Sequence, residues 1–324
     1  TLVKHYRDLA FMGFIEVLSH LGTILKNFSF CKEDIQKFNP DAVILIDYPG
    51  FNLRMAKWAH AKGYKVIYYI SPQIWAWKEN RAKLIRRCVN KMLVILPFEK
   101  TFYEKWHYEV EYVGHPLIEV IKRAREKGPG NIITEGKIIA LLPGSRKQEI
   151  SHKLPMMLKM TQYFPDYKFV IAQAPHIDED KLRSILKEYP NVLLVKDHTY
   201  DLLQQSTVAL VTSGTATLET ALFGIPEIVC YKGSPISYFL AKRLVRVSYI
   251  SLVNLIMNKE VVKELIQNDL NEMNLKKELQ NILKDNVRQK IKIEYDQLWG
   301  KLDEGDASLS AAEHIVSFLN EVNT

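Results

Sequence analysis

The sequence predicts an α/β protein of two successive doubly wound halves, and three observations carry this. Short apolar runs such as Asp41–Ile46, Lys65–Ile70 and Lys137–Leu142 alternate with helix-forming stretches, the pattern of parallel strands covered on both faces. Most runs end in a polar or glycine-containing turn, and in open α/β sheets those carboxyl-end turns are where ligands bind. The alternation breaks at Lys122–Gly136, a stretch of charge, Gly and Pro without apolar period, and then restarts. That stretch reads as a linker, giving domains 1–133 and 134–324.

Composition bounds the function. At 324 residues, 47% hydrophobic and 25% charged, the chain has enough apolar material for two ordinary domains and is not a disordered protein. Cys31, Cys88 and Cys230 are too scattered for a metal pair or a disulfide framework, so a reducing, cytoplasmic setting is expected. No run reaches the length of a membrane span. The excess of 44 Lys and Arg over 37 Asp and Glu gives +7, which favours phosphates, acidic headgroups or nucleic acid without choosing among them.

In the first half, Leu9–Leu18, continuing to Leu21, Ile24, Leu25, Phe28 and Phe30, carries more apolar surface than an opening helix needs. It is either a core helix or a lip for acyl chains or a bilayer surface. Asp41–Ile46 reads as a buried strand, and Asp47-Tyr-Pro-Gly-Phe-Asn52 as the loop at its carboxyl end. Leu53–Lys62 reads as helix, Lys65–Ile70 as strand and Ser71–Trp77 as exit loop. Lys78–Lys91 concentrates six cations around the single acid Glu79 on a helix, which is either a solvated face or a basic face for phosphate or lipid headgroups. Strands at Met92–Leu96 and Val110–Val113 close the half.

The second half restarts with strand Lys137–Leu142 and the turn Pro143-Gly-Ser-Arg146. Strands follow at Lys168–Ala172, Val192–Val195, Thr207–Thr212 and Glu227–Tyr231, then helical stretches at 260–297 and 307–322. In the latter, Ala311, Ala312, Ile315, Val316 and Leu319 form a packing face. The most informative segment is Val211–Pro226. Its strand, Ser213-Gly214-Thr215 turn and helix make a ready anion site at a helix N-terminus. Glu219, one helical turn after Thr215, suits the hydroxyls of a ribose or sugar, so the segment points to a nucleotide sugar, although capping alone also accounts for Ser213 and Thr215. Gly144, Ser145, Arg146, Gln173, Gly214, Ala216 and Thr217 complete the candidate ligand edge. A Walker loop, a GxGxxG after a strand and a DxD pair are all missing from the sequence, which argues against a kinase, a dehydrogenase and metal-dependent transfer.

Taken together, Ser71-Pro-Gln-Ile-Trp-Ala-Trp77, Leu96-Pro-Phe-Glu99, Val113-Gly-His-Pro116, Leu141-Leu-Pro-Gly-Ser-Arg146, Thr212–Glu219, Ala241-Lys-Arg-Leu244 and Ser251-Leu-Val-Asn-Leu255 with Lys263-Glu-Leu265 and Gln267 resemble the lipid-A-disaccharide synthase family in order and spacing. The resemblance implies a GT-B glycosyltransferase, two Rossmann-like domains facing across a cleft. It implies inverting transfer from UDP-2,3-diacylglucosamine to 2,3-diacylglucosamine 1-phosphate, giving a β-1,6 disaccharide and UDP. It also implies a peripheral location on the inner face of the bacterial inner membrane, on an anionic surface, with no nucleic acid and with a homodimer left open. No cofactor is expected beyond the UDP-sugar donor. The family carries a further strand and a Gly-Glu-x-Ser-Gly-Asp loop ahead of the region matching Leu9, and usually Pro where this chain has Val253 before Asn254.

The chemistry assigns roles to particular residues. Inverting transfer needs a general base for the acceptor hydroxyl, and Asp47 is the candidate. Arg146 and the helix amides at Ser213–Thr217 are expected to meet the charge of departing UDP, Glu219 to hold the ribose, and Asn254 and Gln267 to make polar contacts with the donor. The competing readings are a UDP-sugar 2-epimerase, which has no use for an acyl lip, and a non-catalytic binder of anionic lipid or nucleic acid, which rests on charge alone.

Overall fold

The computed structural model describes residues 21–130, 133–174, 179–234 and 247–323, with Tyr238 and Arg243 between the last two intervals. The chain divides into two compact units, one comprising residues to Ile95, Glu99–Val113 and from Ser308 on, the other Leu96–Phe98 and Gly114–Ala307.

The first unit contains α1 (Leu21–Phe38), β1 (Ala42–Ile46), α2 (Pro49–Ala61), β2 (Lys65–Tyr69), α3 (Ile74–Trp77), α4 (Arg81–Cys88), β3 (Lys91–Val94), α5 (Pro97–Glu104) and β4 (Glu111–Tyr112). Its sheet runs β1-β2-β3-β4, every pair parallel. Centrally placed β2 is apolar and closed to solvent at Val66, Ile67 and Tyr68, as a strand covered on both faces should be. The expected buried strand at Asp41–Ile46 is instead an edge among the described residues. Val43 and Leu45 are buried while Ile44 and Ile46 stay exposed. Apolar composition alone does not separate an edge from a centre. The expected apolar lip at Phe11–Leu18 lies outside the described residues; within α1, Phe28 packs edge-on against Phe51 at 5.4 Å while Leu25 and Phe30 remain exposed.

The second unit contains α6 (Leu117–Lys127), β5 (Lys137–Leu142), α7 (Lys147–Leu158), β6 (Tyr167–Gln173), α8 (Glu179–Leu186), β7 (Leu193–Lys196), α9 (Thr199–Gln205), β8 (Ser206–Thr212), α10 (Thr215–Leu222), β9 (Glu227–Tyr231), α11 (Leu252–Met257), β10 (Lys263–Ile266), α12 (Glu272–Ile282) and α13 (Asp285–Leu302). Its parallel sheet runs β10-β9-β8-β5-β6-β7. This is the doubly wound order in which successive strands are laid outward in both directions from a central pair. Ile139, Leu141, Leu210 and Ile228 of the sheet close over Leu154, Met157 and Leu158 of α7 to form the core of one face.

Two expectations are corrected here. Lys122–Gly136 is not an unstructured linker, because its first part completes α6, whose Ile118 and Ile121 are buried. The charges that hid the helix are themselves tied into the second unit: Lys122 pairs with Asp303 at 2.8 Å, Arg125 donates to the Leu222 carbonyl and lies over the Trp299 ring, and Gly130 N donates to Asp201. The compact units therefore part at 113–114 rather than near 133. The stretch 260–297 is not all helical either, since Lys263–Ile266 forms strand β10 on the sheet edge.

The last helix, α14 (Ala307–Asn323), returns to the first unit. Ala311 joins Ile67, Leu93 and Val113 in a small core against which Ile315, Phe318 and Leu319 pack. The packing face is thus narrower than expected, since Ala312 and Val316 point to solvent.

His115 opens the second unit. It is 7% exposed, its backbone N–H donates to the Leu302 carbonyl, and its Nδ1 accepts from Leu117 N at 3.2 Å. Burial pushes this imidazole from its ordinary 6.5 down to about 4. The unfolded chain therefore takes up the proton first as pH falls, so stability present above about 6.5 is lost between there and about 4, by about 3 kcal/mol. An asparagine in this place would keep an acceptor for Leu117 N without titrating. Urea unfolding of His115→Asn is expected to be less acid-sensitive than the parent across that window, and an unchanged pH slope would show that other groups set it.

Candidate functional site

In the second unit the strand order reverses between β5 and β8, which pair from Ile139 with Val208 to Leu142 with Val211. Their exit loops leave side by side, so Gly144-Ser-Arg146 and Ser213-Gly-Thr215, far apart in sequence, meet at one crevice. Gly144 has φ 109°, and a Cβ there would stand 2.5 Å from Glu149 Oε2. The positive φ disfavours any side chain here, and one added would also have to move the Glu149 carboxylate. Ser145 and Arg146 are exposed, and the Arg146 guanidinium reaches Glu149 Oε1 at 3.3 Å. The first amides of α7 and α10 lack intrahelical acceptors and favour an anion. Gln173 ends β6, beside β5, and is 3% exposed.

The hydroxyls of the Ser213–Thr217 segment are less available than the sequence promised. Ser213 Oγ donates to the Ile250 carbonyl at 2.9 Å, and Thr217, fully buried, donates to the Gly214 carbonyl at 2.8 Å. Both shape the turn. Gly214, at φ 154°, and Thr215 remain exposed and Ala216 is half-buried. Glu219 is half-buried, and burial raises its carboxyl. The Tyr200 hydroxyl is pushed up to about 12, first by burial and then by the Glu219 charge.

Asn254 and Gln267, expected to contact the donor, also hold neighbouring backbone. Asn254 is wholly buried and its amide is saturated. Oδ1 accepts from Val261 N at 2.8 Å and Val262 N at 3.0 Å, while Nδ2 donates to the Val262 carbonyl and to Glu264 Oε1, both at 2.9 Å. Gln267, with its amide oriented toward Gly233, donates to that carbonyl and accepts from that N–H at 3.3 Å each. The residue sequence reasoning missed is Glu264. Its carboxylate accepts from Ile250 N and Ser251 N at 3.0 Å, Ser251 Oγ at 2.7 Å and Asn254 Nδ2. Ser213 and Glu264 together hold the 250–251 segment against the crevice. Its signal in the sequence is faint, a charged pair, Lys263-Glu264, ahead of the apolar Leu265-Ile266.

In the first unit, Asp47 follows β1 with φ 46° and Tyr48 repeats it. Two consecutive left-handed residues, neither of them Gly, are a local strain that persists only when the surroundings fix it. They do so here. Asn52 Nδ2 donates to the Ile46 and Asp47 carbonyls at 3.0 and 2.8 Å, Tyr68 OH donates to the Asp47 carbonyl at 2.5 Å, and Asp47 N donates to Tyr69 O. Burial and then the Asp47 charge hold the Tyr68 phenol well above its ordinary range. The Asp47 side chain is left exposed at the sheet's carboxyl edge. Nearby motif residues serve packing: Trp75 Nε1 donates to buried Glu99 at 3.1 Å and Ser71 Oγ meets Tyr103 OH at 2.8 Å.

Two Rossmann-like α/β units, the second with an anion-ready crevice at its strand-order reversal, define the GT-B class, and solved structures of that class match. A UDP-GlcNAc 2-epimerase from Neisseria meningitidis bound to UDP-GlcNAc superposes with TM-score 0.64 at 15% identity, over 96% of this chain and 83% of that one. The calicheamicin glycosyltransferase CalG4 superposes with TM-score 0.60 at 15% identity, over 96% and 84%. These matches carry the fold. The family comes from sequence: the model described as Lipid-A-disaccharide synthetase matches residues 1–316. The lipid-A-disaccharide synthase of Trichlorobacter lovleyi is 40% identical over 86% of this chain and 75% of its own, and that of Syntrophus aciditrophicus 40% identical over 94% and 82%. The chain belongs to the lipid-A-disaccharide synthase family, and its activity is the glycosyl transfer of lipid A disaccharide synthesis.

Removing the Asn254 amide takes a hydrogen-bond partner from the Val261 and Val262 amides and the Val262 carbonyl, while Glu264 keeps its other donors, so Asn254→Ala is expected to cost about 2–4 kcal/mol of folding stability. Thr215→Ala, at an exposed position, is expected to leave stability within about 0.5 kcal/mol. The midpoints of urea unfolding check both, and an Asn254→Ala chain as stable as the parent would return that residue to the ligand.

Proposed function

We propose that the chain moves 2,3-diacylglucosamine from UDP-2,3-diacylglucosamine onto 2,3-diacylglucosamine 1-phosphate, forming the β-1,6 linkage and releasing UDP. The observation that carries the donor side is the meeting of Gly144-Ser-Arg146 and Gly214-Thr215 at one switch point, with Glu219 a turn further along α10. The second unit takes the UDP moiety and the first takes the acceptor. Asp47 accepts the proton of the acceptor hydroxyl as its oxygen bonds to the anomeric carbon. The bond from that carbon to the β-phosphate oxygen breaks, and its electron pair leaves with UDP. Arg146 and the amides at the starts of α7 and α10 meet the added charge. Glu219 and Tyr200 offer polar atoms to ribose hydroxyls. Incubation with both acylated sugars, followed by detection of UDP and disaccharide, tests the reading. The left-handed backbone at Asp47 suits Asn as well as Asp, so Asp47→Asn tests the base without disturbing the loop. Transfer is expected to fall by about 10² or more while UDP affinity holds, and turnover within about tenfold of the parent rejects the assignment.

Both substrates carry acyl chains, and no helix among the described residues is long and apolar enough to cross a membrane. Attachment to an anionic inner-membrane surface is assigned to the basic face of the first unit. There Lys83, Arg86, Arg87, Lys105, Trp106 and His107 line a shallow pocket of about 470 Å³. Trp77 stands exposed beside it in sequence, with the Lys78 ammonium 4.1 Å from its ring. Lys91, by contrast, is engaged with Glu111 at 3.0 Å. Cations and an interfacial aromatic together give the two signals that peripheral binding takes. Arg86→Glu with Arg87→Glu is expected to weaken sedimentation with anionic vesicles at least tenfold and to remove its salt sensitivity. Unchanged binding would place the membrane contact elsewhere.

A further inference from the structure

Lys153 lies in the second turn of α7 and is 2% exposed, yet among the described residues its ammonium makes no hydrogen bond or ion pair. Its neighbours on the helix face are Ile150, Leu154 and Met157, all in the core beneath the sheet. A lysine in such a place is a cost unless a counter-charge is near. Helical geometry says where the ammonium goes. Side chains on a helix lean toward its N-terminus, and Lys153 stands four residues after Glu149 and seven after Arg146, on one face with both. The charges of Glu149, Cys230 and Arg146 bear on it, and Cys230 of β9 shares the core beneath the sheet with Leu154 and Met157 of α7. Cys230 pairs in register with Thr212, the last residue of β8. Thr212 is 5% exposed, and its Oγ1 has no hydrogen-bond partner among the described residues. The Lys153 side chain and the unpartnered Thr212 hydroxyl therefore lie on the α7 side of the sheet, near where the Gly144 and Ser213 loops leave it. Glu149 bears on Lys153 as a counter-charge without forming an ion pair with it among the described residues, and its carboxylate also receives Arg146 at 3.3 Å.

We propose that Lys153 and Thr212 are binding residues for the diphosphate of the donor, the ammonium pairing with a phosphate oxygen from beneath while Arg146 meets it from the exposed side. The proposal rests on the donor reading above and adds to it residues that the motifs leave out. In the empty protein the ammonium is a burden; with a diphosphate in the crevice it gains its counter-ion. The two states make opposite demands on a Lys153→Met variant, which keeps the length of the side chain and drops the charge.

Calorimetric titration of the parent, Lys153→Met, Thr212→Val and Arg146→Ala chains with uridine, UMP and UDP, beside their thermal unfolding, tests this. Lys153→Met is expected to unfold at the same or a higher temperature than the parent and to bind UDP at least about tenfold more weakly. The loss should be smaller for UMP and absent for uridine, and Thr212→Val should show a lesser loss of the same order across ligands. A Lys153→Met chain that binds UDP within twofold of the parent, loses uridine equally, or fails to fold overturns the proposal. If Arg146→Ala alone weakens UDP, the donor reading stands without Lys153. If the parent binds neither UDP nor UMP, that reading falls with it.

Discussion

The second unit depends on β5 lying between β6 and β8. Successive strands added outward on both sides send the helices after β5 and β8 to opposite faces of the sheet, and neither helix covers the crevice at the neighbouring exit loops. A polar crevice is the product of strand order before any residue is chosen to line it. What the sequence adds is glycine at both turns: Gly144 admits Glu149 over its own backbone, and Gly214 supplies the positive φ from which α10 starts. The apolar strands Lys137–Leu142 and Ser206–Thr212, closed to solvent at nearly every apolar position, keep these loops from shifting.

Burying acids is the second constraint, and the unit meets it in two ways. Glu264 is surrounded by donors, so its charge is spread over backbone amides, a hydroxyl and the Asn254 amide, and the irregular 250–251 segment acquires a fixed course from it. Glu227 is wholly buried at the start of β9, and neither carboxyl oxygen has a hydrogen-bond partner among the described residues. Burial, and then the Glu264 charge, push its carboxyl well above the ordinary range, so it stays protonated and behaves as a polar filler. One acid organises a loop; the other gives up its charge to remain where it is.

The sequence made the alternation of strands, the two carboxyl-edge loops and the final helix legible, because apolar runs bounded by turns report directly on sheets with both faces covered. Strands Lys137–Leu142 and Glu227–Tyr231 fall where those runs end. It was less informative where one chemical type serves two ends. The cations of α6 read as linker because charge was taken for exposure, whereas Lys122 and Arg125 reach across to Asp303 and Leu222. Ser213, Thr217, Asn254 and Gln267 read as ligand contacts because a polar side chain near a strand end serves a ligand or a turn equally well, and the structure adds the backbone partners that the sequence does not show. β10 was hidden by its shortness and by the charges at Lys263 and Glu264 among helix formers.

The return of α14 to the first sheet makes that unit discontinuous along the chain. Ile67, Leu93 and Val113 are synthesised early, yet the core they share with Ala311, and the cover provided by Ile315, Phe318 and Leu319, arrive only with the last helix. Gly114–Ala307, by contrast, contains nearly all of the second unit in one uninterrupted span. On a growing chain the later-encoded unit is thus the first able to close its core, while the earlier-encoded one waits with an apolar sheet face uncovered. Order of manufacture and order of completion run opposite ways, and the C-terminal helix acts as the latch that ends the waiting.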